Sequence, residues 1–437
     1  MKRLIKVALP LAIAVLFLFE QALSSHYGII REFQAAVLSL QWLLLLCIAV
    51  WCGTFLFLTF SPRDWPLLGL LLSAIVAFFI GAAASSRAVD ALILLAGVTL
   101  GCAARFFVGD EVTSLTSKPG SQKSGNQLET PHVVSCFLFG LVLLLAFSSW
   151  WHLEVAHSFY PGTRWTGLWD NPNIYGMLMA TGGVLAIGLL IQARSGECGM
   201  RNEQKQKART VLNSALHTPH SAILLVALGM MGLFFSYSRG AWAGTVVGLL
   251  YLAKAHGKLK WRWVLPGILV VAAVVCVFWH STADTDQWYL KRLDFSRPSA
   301  QHRVSAWRGA LQMMRDHPLG VGWNNAVGIY EKNYSPPKDG AAALTMNSYF
   351  MLGTELGLPG LLAFIAYIYL KFKPMAGDLL PVALRAGTLV LLVAFWFDGG
   401  LFDLPTAATF WILLELGAVR RRMVEPPSSL GLEQFSR

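Results

Sequence analysis

The chain has 437 residues, 55% of them hydrophobic and only 14% charged, with 35 Lys and Arg against 24 Asp and Glu for a formal net charge of +11. Soluble domains carry roughly 25% charged residues, so a mean hydropathy of +0.53 excludes one soluble core and makes the bilayer the solvent. The excess of cations does not indicate nucleic acid, because Lys and Arg stand in short stretches between apolar runs rather than on one soluble face.

In chain order the apolar runs lie near 4–19, 35–59, 66–84, 88–108, 132–151, 173–193, 219–236, 240–255, 263–280, 347–370, 380–398 and 403–419. Most approach the roughly 20 residues that carry a helix across a hydrocarbon core. The first follows Lys2, Arg3 and Lys6 like a signal peptide. No small-residue cleavage site follows it and more spans do, so it is read as a retained helix. The expected fold is all-α, a polytopic membrane protein of about 12 transmembrane helices. Cys47, Cys52, Cys102, Cys136 and Cys276 fall in or at apolar runs and Cys198 in a basic loop, which fits packing residues rather than a disulfide framework.

The charges orient the spans. With the N-terminus in the cytoplasm, the inside segments hold Lys2, Arg3 and Lys6; Arg63; Arg105, Lys118 and Lys123; Arg194 to Arg209; Lys254 to Arg262; Lys371 and Lys373; and Arg420 to Arg422. The short outside segments hold isolated cations, Arg31, Arg87, Arg164 and Arg239. Alternation of this kind is what the positive-inside rule demands, and both termini are then cytoplasmic. The organisation expected is N-terminal transmembrane helices over 1–159 with a cytoplasmic linker at 109–130, a core over 160–370, and C-terminal helices with a cytoplasmic tail over 371–437. A second polar linker is expected at 194–218.

Residues 281–346 form a large, partly helical loop on the outer side, between the ninth and tenth spans. Gln301 to Asp316 has a helical pattern, with Val304, Trp307, Leu311 and Met314 on one stripe, and His317-Pro318 ends it. The sequence has no Walker loop, no exposed paired DxD-type cluster, no HExxH and no CxxC pair; Asp284 and Asp286 are only a weak match to the acidic type. No metal site and no cofactor is expected, and a nucleotide-sugar donor held by metal is disfavoured.

Three outer-face arginines carry the functional reading: Arg164, Arg239 and Arg303. Arg239 lies in FSYSRGAW, between two apolar runs with almost no loop, so its charge sits near headgroup depth. A guanidinium there snorkels to the interface or binds a partner. An anionic headgroup such as a diphosphate suits arginine, which stays charged and offers two parallel N–H donors. A lipid-linked diphosphate would keep its tail in the bilayer and its sugars in the outer loop. Trp165, Trp169, Tyr237, Trp242 and Trp307 are candidates for stacking on sugar faces, or for an interfacial aromatic belt. Asp170-Asn171-Pro172-Asn173 is a helix-start signal, with Asn171 and Asn173 as candidates to hold the segment that presents Arg164. Asn347-Ser348-Tyr349 reads the same way. Glu355 falls one to two turns into the tenth span, where a carboxylate partners an arginine or acts as a base.

WTGLWDNPNIYGMLMA, FSYSRGAWAG, RVSAWRGALQMMRDHPLGVGWNNA and MNSYFMLGTELGLPGLLAF, in this order over about 160–370, resemble the O-antigen ligase and O-antigen polymerase superfamily. The resemblance implies a bacterial inner-membrane glycosyltransferase acting at the periplasmic face without metal or nucleotide sugar. It implies a glycan donor on undecaprenyl diphosphate and an acceptor hydroxyl on a glycan, lipid or protein. Arg164, Arg239 and Arg303 would hold the diphosphate, with Glu355 a further catalytic candidate and Asn171, Asn173, Trp307, Asn347 and Tyr349 lining the substrate. Ligases of this family typically carry His where Met346 stands, and methionine cannot accept a proton. Glu355, His302, His317 and Asp170 are the substitutes available. The other functional classes compatible with the pattern are a transporter or flippase for a lipid-linked or anionic substrate, and a non-catalytic envelope scaffold.

Overall fold

In a computed structural model of the chain, residues 47–80, 87–116, 148, 164–167, 169, 171–199, 219–255, 298–334, 347–373 and 379–418 are described. Every regular element among them is a helix. In chain order these are α1 (Cys47–Thr59), a 3-10 turn (Pro62–Asp64), α2 (Trp65–Ile80), α3 (Arg87–Thr116), α4 (Pro172–Gly199), α5 (Pro219–Ser236), α6 (Arg239–Ala255), α7 (Pro298–Asp316), α8 (Ala326–Asn333), α9 (Ser348–Glu355), α10 (Gly357–Phe372), α11 (Leu379–Ala394), a second 3-10 turn (Gly400–Phe402) and α12 (Leu404–Leu416). The runs expected near 4–19, 132–151 and 263–280 lie outside the described residues, Ser148 apart, as do Asp170, Met346 and the two ends of the 281–346 loop, residues 281–297 and 335–346.

Two apolar stretches, Pro62–Ile80 and Pro172–Ile191, are long enough by length and composition to cross a bilayer, and shorter apolar helices accompany them, Gly357–Phe372 and Leu404–Leu416 among these. Phe57 (84% exposed), Phe79 (80%) and Trp51 (65%) point outwards, as lipid-facing side chains do. Inside the bundle α12 packs on α3, α10 on α2, and α4 on α5, α6 and α11, while α6 also lies along α11. That last seam is made by glycines one turn apart. A Cβ on Gly240 would lie 2.8 Å from Phe397, one on Gly248 2.9 Å from Val390, and one on Gly244 would overlap the Val390 carbonyl oxygen. Small residues let helix backbones approach where lipid supplies no hydrophobic drive between them.

One end of the bundle is tied by charge. Arg105 Nη1 meets Asp64 Oδ1 at 2.9 Å and Glu415 Oε2 at 3.1 Å, and Lys371 Nζ meets the same two oxygens at 3.0 and 2.8 Å. Tyr367 donates its hydroxyl to Glu415, and Arg105 also donates to Thr59 Oγ1. Two cations and two anions thus neutralise each other at the start of α2, within α3 and in the last turns of α10 and α12. The sequence placed Arg105 and Lys371 on one side of the membrane, and the structure brings them together.

Five expectations are corrected. The linker at 109–130 begins later, because α3 continues to Thr116, and that at 194–218 begins later because α4 continues to Gly199. The span at 347–370 is broken: α9 ends at Glu355 and α10 starts at Gly357, whose φ of +78° turns the chain. The run at 380–398 is helical only to Ala394, and residues 395–398 form a turn. On α7 the buried stripe is Ala306, Gly309, Ala310, Met313 and Met314, while Val304 and Leu311 are exposed. Small residues won that face because the Tyr330 ring of α8 sits where a Gly309 Cβ would be.

Candidate functional site

The other end of the bundle gathers most of the residues singled out from the sequence. The segment before α4 is strapped to the end of α5: Trp165 N–H donates to Phe235 O at 2.9 Å and its ring stacks on Phe235 with centroids 4.5 Å apart. Gly167, at φ +61°, makes the turn that follows, where a Cβ would overlap Ser148 and lie 2.5 Å from Tyr175. Arg164 is thereby held to donate from Nε to Ser236 O at 2.8 Å and from Nη2 to Asn173 Oδ1 at 2.6 Å. Helix α4 starts as the sequence signals. Pro172 stands at its first position, where the missing N–H costs nothing, and Asn171 Oδ1 accepts from Asn173 N–H at 2.9 Å.

Asn173 then reaches across the fold. Its Nδ2 donates to Asp398 Oδ2 at 2.5 Å, 225 residues along the chain. Asp398 Oδ1 accepts from Gly399 N–H at 2.7 Å. The charges of Arg164 and Arg303 both act on this carboxylate. Arg239 opens α6, exposed at its tip, and the next residue, Gly240, rests on Phe397. The three arginines therefore sit on elements that meet at one turn, residues 395–398.

The same turn seats α9. Asn347 Oδ1 accepts from the backbone N–H groups of Tyr349 (3.0 Å) and Phe350 (3.1 Å), an N-cap, while its Nδ2 donates to Trp396 O at 2.9 Å. Ser348 Oγ donates to Asp398 O at 2.9 Å, and Tyr349 Oη to Leu392 O at 2.7 Å. Trp307, one turn beyond Arg303 on α7, packs with ring centroids 6.0 Å from both Phe350 and Trp396. Trp396 is 43% exposed, so an aromatic floor lies beside the cations. Three arginines on elements that meet at the Asp398 turn suit an anion that can accept from more than one guanidinium.

Arg164, Arg303, Asn171, Asn173, Asn347, Tyr349 and Trp307 are brought to this group, with Arg239 through its neighbour Gly240. Glu355 is not. It closes α9 at the end opposite Asn347, about 12 Å away at 1.5 Å per residue, and is 2% exposed. Trp169 is no candidate for a sugar face either, since it is 4% exposed and packed towards Tyr175. Trp242 stays 45% exposed beside Phe234. His317 is exposed just past the end of α7, and the side chain of His302 lies outside the described residues. Asp398 was not among the residues singled out from the sequence. Its position before a Gly-Gly pair at the end of an apolar run was the available signal.

Residues 223–365 match the family model described as O-antigen ligase. The match runs from α5 through the larger part of α10 and includes Arg239, Arg303, Asn347 and Glu355. The resemblance to the O-antigen ligase superfamily seen in the sequence is thereby shown over this segment; its members are bacterial inner-membrane proteins, and the apolar helices agree with that setting. Arg164 and Asp398 lie outside the matched residues. A search of curated proteins found no match.

Proposed function

We propose that the chain transfers a glycan from a polyprenyl diphosphate, undecaprenyl diphosphate in the bacterial inner membrane, to an acceptor hydroxyl at the periplasmic face. The observation that carries the reading is the convergence of the elements bearing Arg164, Arg239 and Arg303 on the turn at Asp398. In the transfer, the acceptor oxygen bonds to the sugar's anomeric carbon as the bond from that carbon to the diphosphate breaks. The leaving diphosphate gains charge in that step. Guanidinium groups fixed beforehand stabilise it without reorganising at the moment of reaction. Asp398 and Asn173 serve that fixing: they offset the repulsion between cations before the donor arrives and set the direction of Arg164. The aromatic floor of Trp307 and Trp396 suits the apolar face of a sugar near the diphosphate. This chemistry calls on guanidinium charge in place of a metal. The acceptor, whether glycan, lipid or protein, is chosen outside this cluster.

The test is transfer from a purified lipid-linked donor by Arg164→Ala, Arg239→Ala and Arg303→Ala, each reconstituted at equal protein level. Each is expected to lower kcat/KM by roughly 10²-fold or more, the scale of losing one preorganised donor to a developing charge. Wild-type rates in all three would remove the reading.

A further inference from the structure

Helix α7 is fastened at two points, both at the end of the bundle opposite the ion network. Trp307 packs on Phe350 and on Trp396, two residues past the end of α11. Beyond the last turn of α7, Pro318 O accepts the N–H of Leu358, in the first turn of α10, at 2.9 Å. The helix therefore runs across the spans rather than along them. On α10 the exposed side chains Leu358, Leu362, Ile365 and Tyr369 recur at helical spacing from that first turn onwards, as a lipid-facing stripe does. Lipid thus reaches the level at which α7 ends.

Around the axis of α7, at about 100° per residue, the side chains sort by polarity. Trp307 and Met314 face α9: Trp307 packs on Phe350, and Met314 sits where a Gly353 Cβ would be. Helix α9 itself lies towards the spans, since Tyr349 Oη reaches Leu392 O of α11. The flank at Gly309 is covered by Tyr330 of α8. Between these two covered flanks the open arc passes through Leu311 and Val304, then Arg315 and Arg308, then Gln312. Leu311 is 56% and Val304 46% exposed, and both arginines and Gln312 are exposed. The order is apolar beside the spans, cationic in the middle and polar furthest from them. The one carboxylate of the helix, Asp316, lies past this arc towards α8 and accepts the hydroxyl of Tyr334 at 2.8 Å.

A face turned only to water has no use for that order, whereas a helix lying in the boundary layer of a bilayer requires it. There the apolar edge enters the acyl boundary, and arginine stems run along it and lift their guanidinium groups to the phosphates. We infer that α7 is an interfacial helix: the edge of Leu311 and Val304 docks in the adjoining leaflet, and Arg308 and Arg315 bind the phosphates of anionic phospholipid. Arg303, on the α9 side of the same helix, is left to the Asp398 turn. The inference stands apart from the donor reading, because what it predicts is contact with lipid and not transfer.

The test uses the full chain cleared of its six native cysteines and reconstituted in vesicles of phosphatidylcholine, with or without phosphatidylglycerol. Leu311→Cys and, as the control on the same helix, Gln312→Cys each carry an environment-sensitive fluorophore. Lipid spin-labelled near its headgroup is expected to quench the fluorophore at 311 and spare that at 312, and acrylamide in the water to do the reverse. Phosphatidylglycerol is expected to raise the docked-to-undocked ratio read at 311 by roughly fivefold per arginine, the scale of one cation at an anionic surface. Arg308→Gln combined with Arg315→Gln, both exposed positions, should cancel that gain and leave the fold intact. Equal lipid quenching at 311 and 312 would overturn the docking. Quenching at 311 that ignores both phosphatidylglycerol and the double substitution would overturn the binding of anionic phospholipid.

Discussion

Asn173 does two jobs with one amide. Its oxygen takes a guanidinium N–H from Arg164 and its nitrogen gives one to Asp398. The pairing also fixes which way the amide faces, since only oxygen can accept and only nitrogen donate. Asn173→Ala therefore removes two bonds to charged groups, each worth about 1.5–3 kcal/mol, and frees Arg164 to turn from the Asp398 side. The expected result is a fall in kcat for glycan transfer of roughly 10- to 100-fold, on the scale of one such bond, with the helix start kept by Asn171 and Pro172. Steady-state rates beside thermal unfolding of the same sample check it; a Tm loss with unchanged kcat would reduce Asn173 to a structural cap. The sequence made half of this legible. Asn171, Pro172 and Asn173 announce a helix start, and the start is there. Nothing local announces Asp398 as Asn173's partner, because a contact 225 residues away leaves no spacing to read. Glu355 shows the related limit, since a carboxylate inside an apolar run does not tell which end of its helix faces the arginines, and Glu355 closes α9 at the end opposite Asn347.

Helices were legible where hydropathy alone builds them. The expected 219–236 coincides with α5, and 240–255 falls one residue short of the start of α6. Breaks and faces were not. The turn at Gly357 sits within an apolar run, so hydropathy passes through it, and the face of α7 was assigned to Val304 and Leu311 because their size outweighs Ala and Gly in any apolar count. The buried ion network escaped for a third reason: residues 64, 105, 371 and 415 belong to separate elements, and each alone resembles a span-end charge. Its four charges sit on or beside four helices, so cutting one out leaves an uncompensated partner inside the bundle. Lys371→Met is expected to destabilise the chain by about 3–5 kcal/mol. Adding Glu415→Gln should return part of that loss, since Arg105 and Asp64 remain paired at 2.9 Å and Tyr367 still finds an acceptor. Thermal unfolding of the single and double variants in detergent checks this coupling; strictly additive losses would mean that Lys371 and Glu415 do not act as a pair.

At the scale of the molecule, the bundle has two unlike ends: a neutralised ion network at one and a cationic cluster at the other. A transferase needs the cationic end to face the compartment that holds donor and acceptor. Sidedness is thus the feature on which function turns. Helix α10 measures it, since its 16 residues span about 24 Å. Leu319, 63% exposed, lies beside its first residue, Gly357. Lys373, exposed, follows its last. In a chain cleared of its six native cysteines, Leu319→Cys is expected to react with a membrane-impermeant maleimide in spheroplasts, and Lys373→Cys only after the membrane is opened. The charge distribution demands this sense, with Lys371 and Lys373 on the cytoplasmic side. The opposite labelling would turn Arg164, Arg239 and Arg303 towards the cytoplasm, away from any glycan displayed on the outer leaflet. No arrangement of guanidinium groups could then serve transfer in the periplasm, however well they converge.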